Sequence, residues 1–136
     1  MEVTIHRKAH FNAAHRLFQK KWSDEENLEV FGKCAYPNYH GHNYDLVVSV
    51  TGQINPETGF VMNLDDLKKI IQDEVVDYLD HKNLNVDIPE FKDKIPTAEN
   101  IVVLIWNKIR NRIKEGKKLE ITLYETARNF VTYKGN

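Results

Sequence analysis

The only cysteine of the chain, Cys34, stands six positions before a His-Gly-His, His40-Gly41-His42, and a third histidine, His15, follows Phe11-Asn12-Ala13-Ala14. In an extended strand successive side chains alternate between faces, so His40 and His42 project to the same side if residues 40 to 44 begin a strand. A third imidazole from a neighbouring strand completes a three-His metal site. Three protein ligands leave one position open on zinc, the arrangement of a catalytic rather than a structural centre. Neutral imidazole suits zinc because it binds without adding negative charge. A His-Gly-His in a polar turn also arises by chance, and spacing alone leaves that alternative standing. A structural Cys-His-His site would need a fourth ligand, and no second cysteine exists to supply it.

Three further groups have chemical potential. Cys34 beside a cation is favoured as thiolate and can act as a base, although a lone cysteine is more often a small buried hydrophobe. Asp80-His81 places a carboxylate next to an imidazole, which can orient it and raise its basicity. Adjacent residues do not ordinarily face each other, and a polar helix end yields the same dipeptide. Glu125, at a strand end, reads by itself as a solvated charge. His6 and His10 have no partner spacing.

The elements that must carry these groups follow from periodicity. Residues 3–17 read as a strand in which Phe11, Ala13 and His15 share a parity. Residues 18–39 form a polar connection, with Ser23 and Glu26 placed to cap a short helix ending at Val30 or Phe31. Residues 43–54 alternate most clearly, with Leu46, Val48 and Val50 on one face. Asn55-Pro56-Glu57-Thr58-Gly59 is a turn by composition. Asn63 caps a helix with an apolar stripe through Leu64, Leu67, Ile70, Ile71, Val75, Tyr78 and Leu79. A polar loop is expected from Asp80 to Pro96. Thr97 then caps a second helix bearing Ile101, Ile105, Ile109 and Ile113, with Gly116 as its C′ residue. Leu119 to Leu123 and Phe130 to Tyr133 supply two more strands. The order ββααββ predicts an α+β domain, a four-stranded antiparallel sheet with two helices on one face. Such a small sheet leaves open edges. Joining them between subunits predicts a homo-oligomer, with a closed barrel as one solution.

Length and composition narrow the class. The chain has 136 residues, which predicts a single domain over 1–136 with room for a real core. A net charge of −1 offers no electrostatic case for nucleic acid or an anionic membrane. One cysteine forms no internal disulfide, the N-terminus shows no apolar signal-type run, and no stretch approaches a membrane span. The expectation is a cytoplasmic enzyme or binding protein.

Taken in order along the chain, these pieces resemble the 6-pyruvoyl-tetrahydropterin synthase family. The matching runs include Ala13-Ala14-His15-Arg16-Leu17, Ser23-Asp24-Glu25-Glu26-Asn27-Leu28, Phe31-Gly32-Lys33-Cys34, His40-Gly41-His42-Asn43-Tyr44, Met62-Asn63-Leu64, Leu79-Asp80-His81-Lys82-Asn83-Leu84, Tyr124-Glu125-Thr126 and Tyr133-Lys134-Gly135. The resemblance implies the tunnelling fold (T-fold), trimers closing a barrel, and a homohexamer built as a dimer of trimers with active sites between subunits. It implies a lyase of tetrahydrobiopterin biosynthesis. The substrate would be 7,8-dihydroneopterin triphosphate, a small-molecule pterin triphosphate, and the product 6-pyruvoyl-tetrahydropterin, with triphosphate eliminated. It also implies Zn2+ on His15, His40 and His42, Cys34 as base, Asp80 and His81 completing the proton relay, Glu125 anchoring the pterin, and Thr97 supporting that anchor. Arg16, Lys33 and Lys82 are triphosphate candidates by position. Two departures stand out: Tyr39 where the family usually has glycine, and Ala98 where a second hydroxyl residue is common. The sister reading is 6-carboxy-5,6,7,8-tetrahydropterin synthase of queuosine biosynthesis, whose cysteine typically sits closer to the His-Gly-His. A non-catalytic zinc- and pterin-binding oligomer is the third.

Overall fold

The alternating segments form two long strands, β1 (Glu2–His15) and β2 (His40–Gln53), paired antiparallel along their whole length from Glu2 opposite Gln53 to His15 opposite His40. A short third strand, β3 (Lys82–Asn83), pairs parallel with Ala13 and Ala14 of β1. β4 (Lys118–Tyr124) pairs antiparallel with β2, and β5 (Phe130–Tyr133) pairs antiparallel with β4. The sheet order is β3-β1-β2-β4-β5. This computed structural model describes all residues, Met1–Asn136.

One sheet face is apolar because residue types repeat with period 2. Phe11 and Ala13, Tyr44 to Val50 at even positions, and Leu119, Ile121 and Leu123 are buried on it. Two helices cover this face. The first, α2 (Leu64–Ile71), begins where the Asn63 side chain accepts from Asp65 N–H. It runs on through a π-helical turn, Gln72–Val76, into a last turn, α3 (Asp77–Leu79). A four-residue turn, α4 (Leu84–Asp87), follows, and the second covering helix is α5 (Ala98–Arg110), capped by the Thr97 hydroxyl on Asn100 N–H. Leu67, Ile71, Val75, Ile101, Ile105 and Ile109 pack against the sheet with at most 2% exposure. Each such side chain contributes about 1.5–3 kcal/mol by leaving water. A shorter helix, α1 (Asp24–Phe31), lies in the long β1–β2 connection, where the Ser23 hydroxyl accepts from Glu26 N–H. The far sheet face is polar, with Thr4–Thr51 and Thr122–Thr132 hydroxyl pairs and a His6–Ser49 hydrogen bond. No helix is long and apolar enough to cross a membrane.

The structure departs from the sequence expectations in several places, among them the ends of β1, β2 and α5. The antiparallel four-stranded sheet gains β3 as a fifth, parallel edge strand. The expected polar loop 80–96 is structured, since Leu84, Ile88 and Phe91 are buried beneath it. Leu64 is 45% exposed, so the apolar stripe of α2 begins at Leu67. Gly116 is not the C′ residue of α5, which ends at Arg110. Gly116 instead has φ 87° in the turn leading into β4, a conformation that glycine adopts without steric cost.

Candidate functional site

The end of the β1–β2 ladder gathers the histidines. His15 closes β1 directly opposite His40, the first residue of β2, and His42 lies opposite Ala13. Period 2 sends all three rings to the helix-covered face. Their centroids lie 4.6, 5.1 and 5.0 Å apart, in edge-on pairs. One ligand nitrogen from each falls within 4.8 Å of the others.

Hydrogen bonding decides which nitrogen points inward. His15 Nδ1 lies 2.8 Å from the Pro96 carbonyl, which can only accept, so Nδ1 carries the proton and Nε2 keeps its lone pair. The Nε2 atoms of His15, His40 and His42 are all buried without a partner. An unsatisfied buried polar atom costs about 1–3 kcal/mol. Three converging on one point fit a divalent cation of borderline softness. Burial, reinforced by the neighbouring imidazoles, lowers the His15 pKa to about 4. Burial, then His42, lowers that of His40. His15 and His40 therefore stand neutral at pH 7, the protonation state that binds metal.

A carboxylate and a thiol turn complete the cluster. Glu125 follows β4 and brings its carboxylate oxygens to 3.9 Å from His15 Nε2 and 4.0 Å from His42 Nε2. The Thr126 hydroxyl shapes this turn by accepting from Arg128 and Asn129 N–H. Cys34 sits in the 3-10 turn Gly32–Ala35, tied to the end of β1 at two points. Leu17 N–H donates to the Cys34 carbonyl and Arg16 Nε to the Ala35 carbonyl, both at 2.8 Å. Burial, and then the charge of Glu125, pushes the Cys34 thiol up.

With this geometry, the comparisons decide the family. The family model described as 6-pyruvoyl tetrahydropterin synthase matches residues 4–136. The chain belongs to that family. A 6-pyruvoyl tetrahydrobiopterin synthase of Homo sapiens is 48% identical over 134 residues, covering 98% of this chain and 92% of the human one. That of Pongo abelii is 49% identical with the same coverage. The solved structure of the Caenorhabditis elegans 6-pyruvoyl tetrahydropterin synthase superposes with a TM-score of 0.93 at 40% identity, covering 100% of this chain and 97% of that one. Membership in this synthase family makes the chain one of a set of enzymes.

The remaining site residues fall in two places. Asp80 and His81 face each other after all, with His81 Nδ1 2.7 Å from Asp80 Oδ2. The positive φ of His81, 60°, turns the ring back onto its neighbour. Asn12 N–H donates to the other carboxylate oxygen of Asp80 at 2.9 Å, and this bond, followed by His81, lowers the Asp80 pKa. The pair hangs from the outer edge of β1, with the His81 side chain 76% exposed, bordering an open cleft of about 600 Å³ alongside Ala14, Gly41 and Lys82. His42 of the histidine cluster lines the same cleft as His81. Thr97 acts here as the N-cap of α5, next to the Pro96 carbonyl that orients His15. Arg16 spends its guanidinium on Ala35 and on the face of Phe18, 4.0 Å away. Pro96 and Thr126 escaped sequence reasoning because each acts through local backbone geometry. Tyr39 has φ 67°, a left-handed conformation that glycine adopts more readily than tyrosine.

Proposed function

We propose that the chain is a zinc-dependent lyase of tetrahydrobiopterin biosynthesis. It converts 7,8-dihydroneopterin triphosphate to 6-pyruvoyl-tetrahydropterin and releases inorganic triphosphate. The convergence of three partnerless imidazole nitrogens beside Glu125 and the Cys34 turn carries this reading. Near-full-length similarity to relatives named for that synthase supports it.

His15, His40 and His42 would hold Zn2+ through Nε2; when bound, it supplies Lewis-acid polarisation of side-chain hydroxyls and a positive charge that favours a nearby thiolate. Cys34 Sγ takes a proton from the substrate side chain. Glu125 accepts two hydrogen bonds from the pterin 2-amino group and the adjacent ring N–H. Thr97 supports that anchor from the start of α5. Asp80 Oδ2 holds the His81 Nδ1 proton, which leaves His81 Nε2 as the atom that receives and returns a proton. The exposed position of His81 suits service to the active site of an adjoining chain. We place the protein in the cytoplasm as a homohexamer, a dimer of trimers whose single-domain chains join sheet edges.

Incubating purified protein with dihydroneopterin triphosphate and identifying the released pterin tests the reading. 6-Pyruvoyl-tetrahydropterin with inorganic triphosphate is expected. 6-Carboxy-tetrahydropterin with acetaldehyde, or release of no product, would overturn it.

A further inference from the structure

The end of β1 is a junction. His15 carries a metal-directed nitrogen, Arg16 Nε and Leu17 N–H hold the two carbonyls of the Cys34 turn, and Asn12 N–H holds Asp80. Three separate chemical groups therefore take their positions from one short stretch of backbone. Residues 16 and 17 of that stretch lie past the β1–β2 ladder, since His15 is the final paired residue. Residues 16 and 17 need some other restraint.

The side chain that provides it belongs to Asn85. Its Oδ1 accepts from Arg16 N–H at 2.8 Å, and its Nδ2 donates to the Arg16 carbonyl at 2.9 Å. One planar carboxamide thus satisfies both backbone groups of Arg16, as a strand partner would. Asn85 is itself fixed, because the Asn83 side chain accepts from the N–H groups of Asn85 and Val86, and Asp87 Oδ2 accepts from Asn83 N–H. Asn83 in turn pairs with Ala14 through β3. The segment that starts with the Asp80–His81 pair is thereby laced to β1 from residue 12 to residue 16, and Asn85 makes the last stitch.

We propose that Asn85 is a positioning residue for the metal ligand His15 and the Cys34 turn, acting through the Arg16 backbone. This inference rests on the metal reading above. Freed from Asn85, residues 16 and 17 no longer hold one conformation. His15 and the Cys34 carbonyl then sample geometries in which neither the imidazole nor the thiol is aimed at the common centre. Loss of a group bonded directly to a metal ligand typically weakens metal binding by about 10–100-fold, and Asn85, one residue removed from His15, is set at the low end of that range.

The test measures zinc affinity by competition with a chromogenic chelator, using wild type, Asn85→Leu, Asn85→Ala and Asn85→Asp. Urea unfolding of the metal-free proteins and kcat and KM at saturating zinc are measured alongside. Asn85→Leu and Asn85→Ala are expected to bind zinc at least about 10-fold more weakly. Their kcat should fall with KM within two-fold, because Glu125 on its own turn is untouched. Asn85→Asp keeps the acceptor for Arg16 N–H but sets a carboxylate oxygen against the Arg16 carbonyl in place of the donating amide, so it should bind zinc no more tightly than Asn85→Ala. Wild-type zinc affinity in the Ala variant, with only a lowered urea midpoint, would reduce Asn85 to a loop staple and overturn the proposal. An Asp variant of wild-type affinity would overturn the route through the Arg16 backbone. If Leu fails to fold, Ala and Asp decide alone. Should wild type itself bind no zinc, the metal reading fails first, which separates the two outcomes.

Discussion

Lowering the pH on the metal-free protein should destabilise it through His15. The ring is fully buried, and its pKa falls from 6.5 to about 4 on folding. At pH 5 the unfolded chain carries a proton on this imidazole and the folded chain does not. The unfolded state therefore binds more protons across that window, so stability rises with pH there. The contribution is fully present above 6.5 and is lost as pH falls through about 4. Between pH 7.5 and pH 5 the two pKa values give a loss of about 2 kcal/mol from His15 alone. His40, also lowered by burial, adds a loss in the same direction. Urea denaturation in a chelating buffer at fixed protein concentration, followed by far-UV circular dichroism, measures it. His15→Gln cannot titrate and should flatten the pH dependence by the same about 2 kcal/mol. Equal pH dependence in wild type and His15→Gln would refute the argument, since it would mean that the ring reaches solvent or stays protonated in the folded chain.

His42→Ala should remove stoichiometric zinc together with activity, measured by elemental analysis of the dialysed protein; retained zinc would contradict the ligand assignment. Cys34→Ala should abolish turnover while zinc and pterin remain bound, followed by pterin fluorescence, and unchanged turnover would take the thiol out of the reaction. Tyr39→Gly should raise stability by about 0.5–1 kcal/mol by thermal denaturation, because φ 67° strains a tyrosine and not a glycine. Gly135→Ala should cost about 2 kcal/mol or more: φ is 85° and a Cβ there would stand 2.5 Å from Trp106 Cζ2.

Sequence reasoning reached furthest where the determinants are local. Ser23, Asn63 and Thr97 are all N-caps, because a short polar side chain ahead of an apolar period has few other uses. The histidine cluster was legible because strand parity alone aligns residues 40 and 42, and His15 shares the parity of Phe11 and Ala13. What stayed hidden depends on partners distant in the chain. Lys82–Asn83 is a strand only because Ala13 and Ala14 lie beside it, and two residues carry no period. The segment 84–91 looked polar because its three buried side chains, Leu84, Ile88 and Phe91, are spaced among charges. The π-helical turn at Gln72–Val76 replaces the ordinary hydrogen-bond pattern without breaking the stripe, so periodicity passes over it. The Asp80–His81 contact required a backbone angle that sequence does not announce for histidine.

The paired fourteen-residue strands that end in His15 and His40 work as a ruler. Adding one residue to either would exchange inside for outside, carrying one or two imidazoles to the wrong side of the sheet while the apolar side chains hold the rest in place. Length variation in relatives is then tolerable in the Asn55–Gly59 turn or around Glu115, remote from the chemistry, and intolerable between Ile5 and His15. The folding core and the ion-binding end share a single frame, so a sequence that packs correctly has already counted out the distance to its reactive centre.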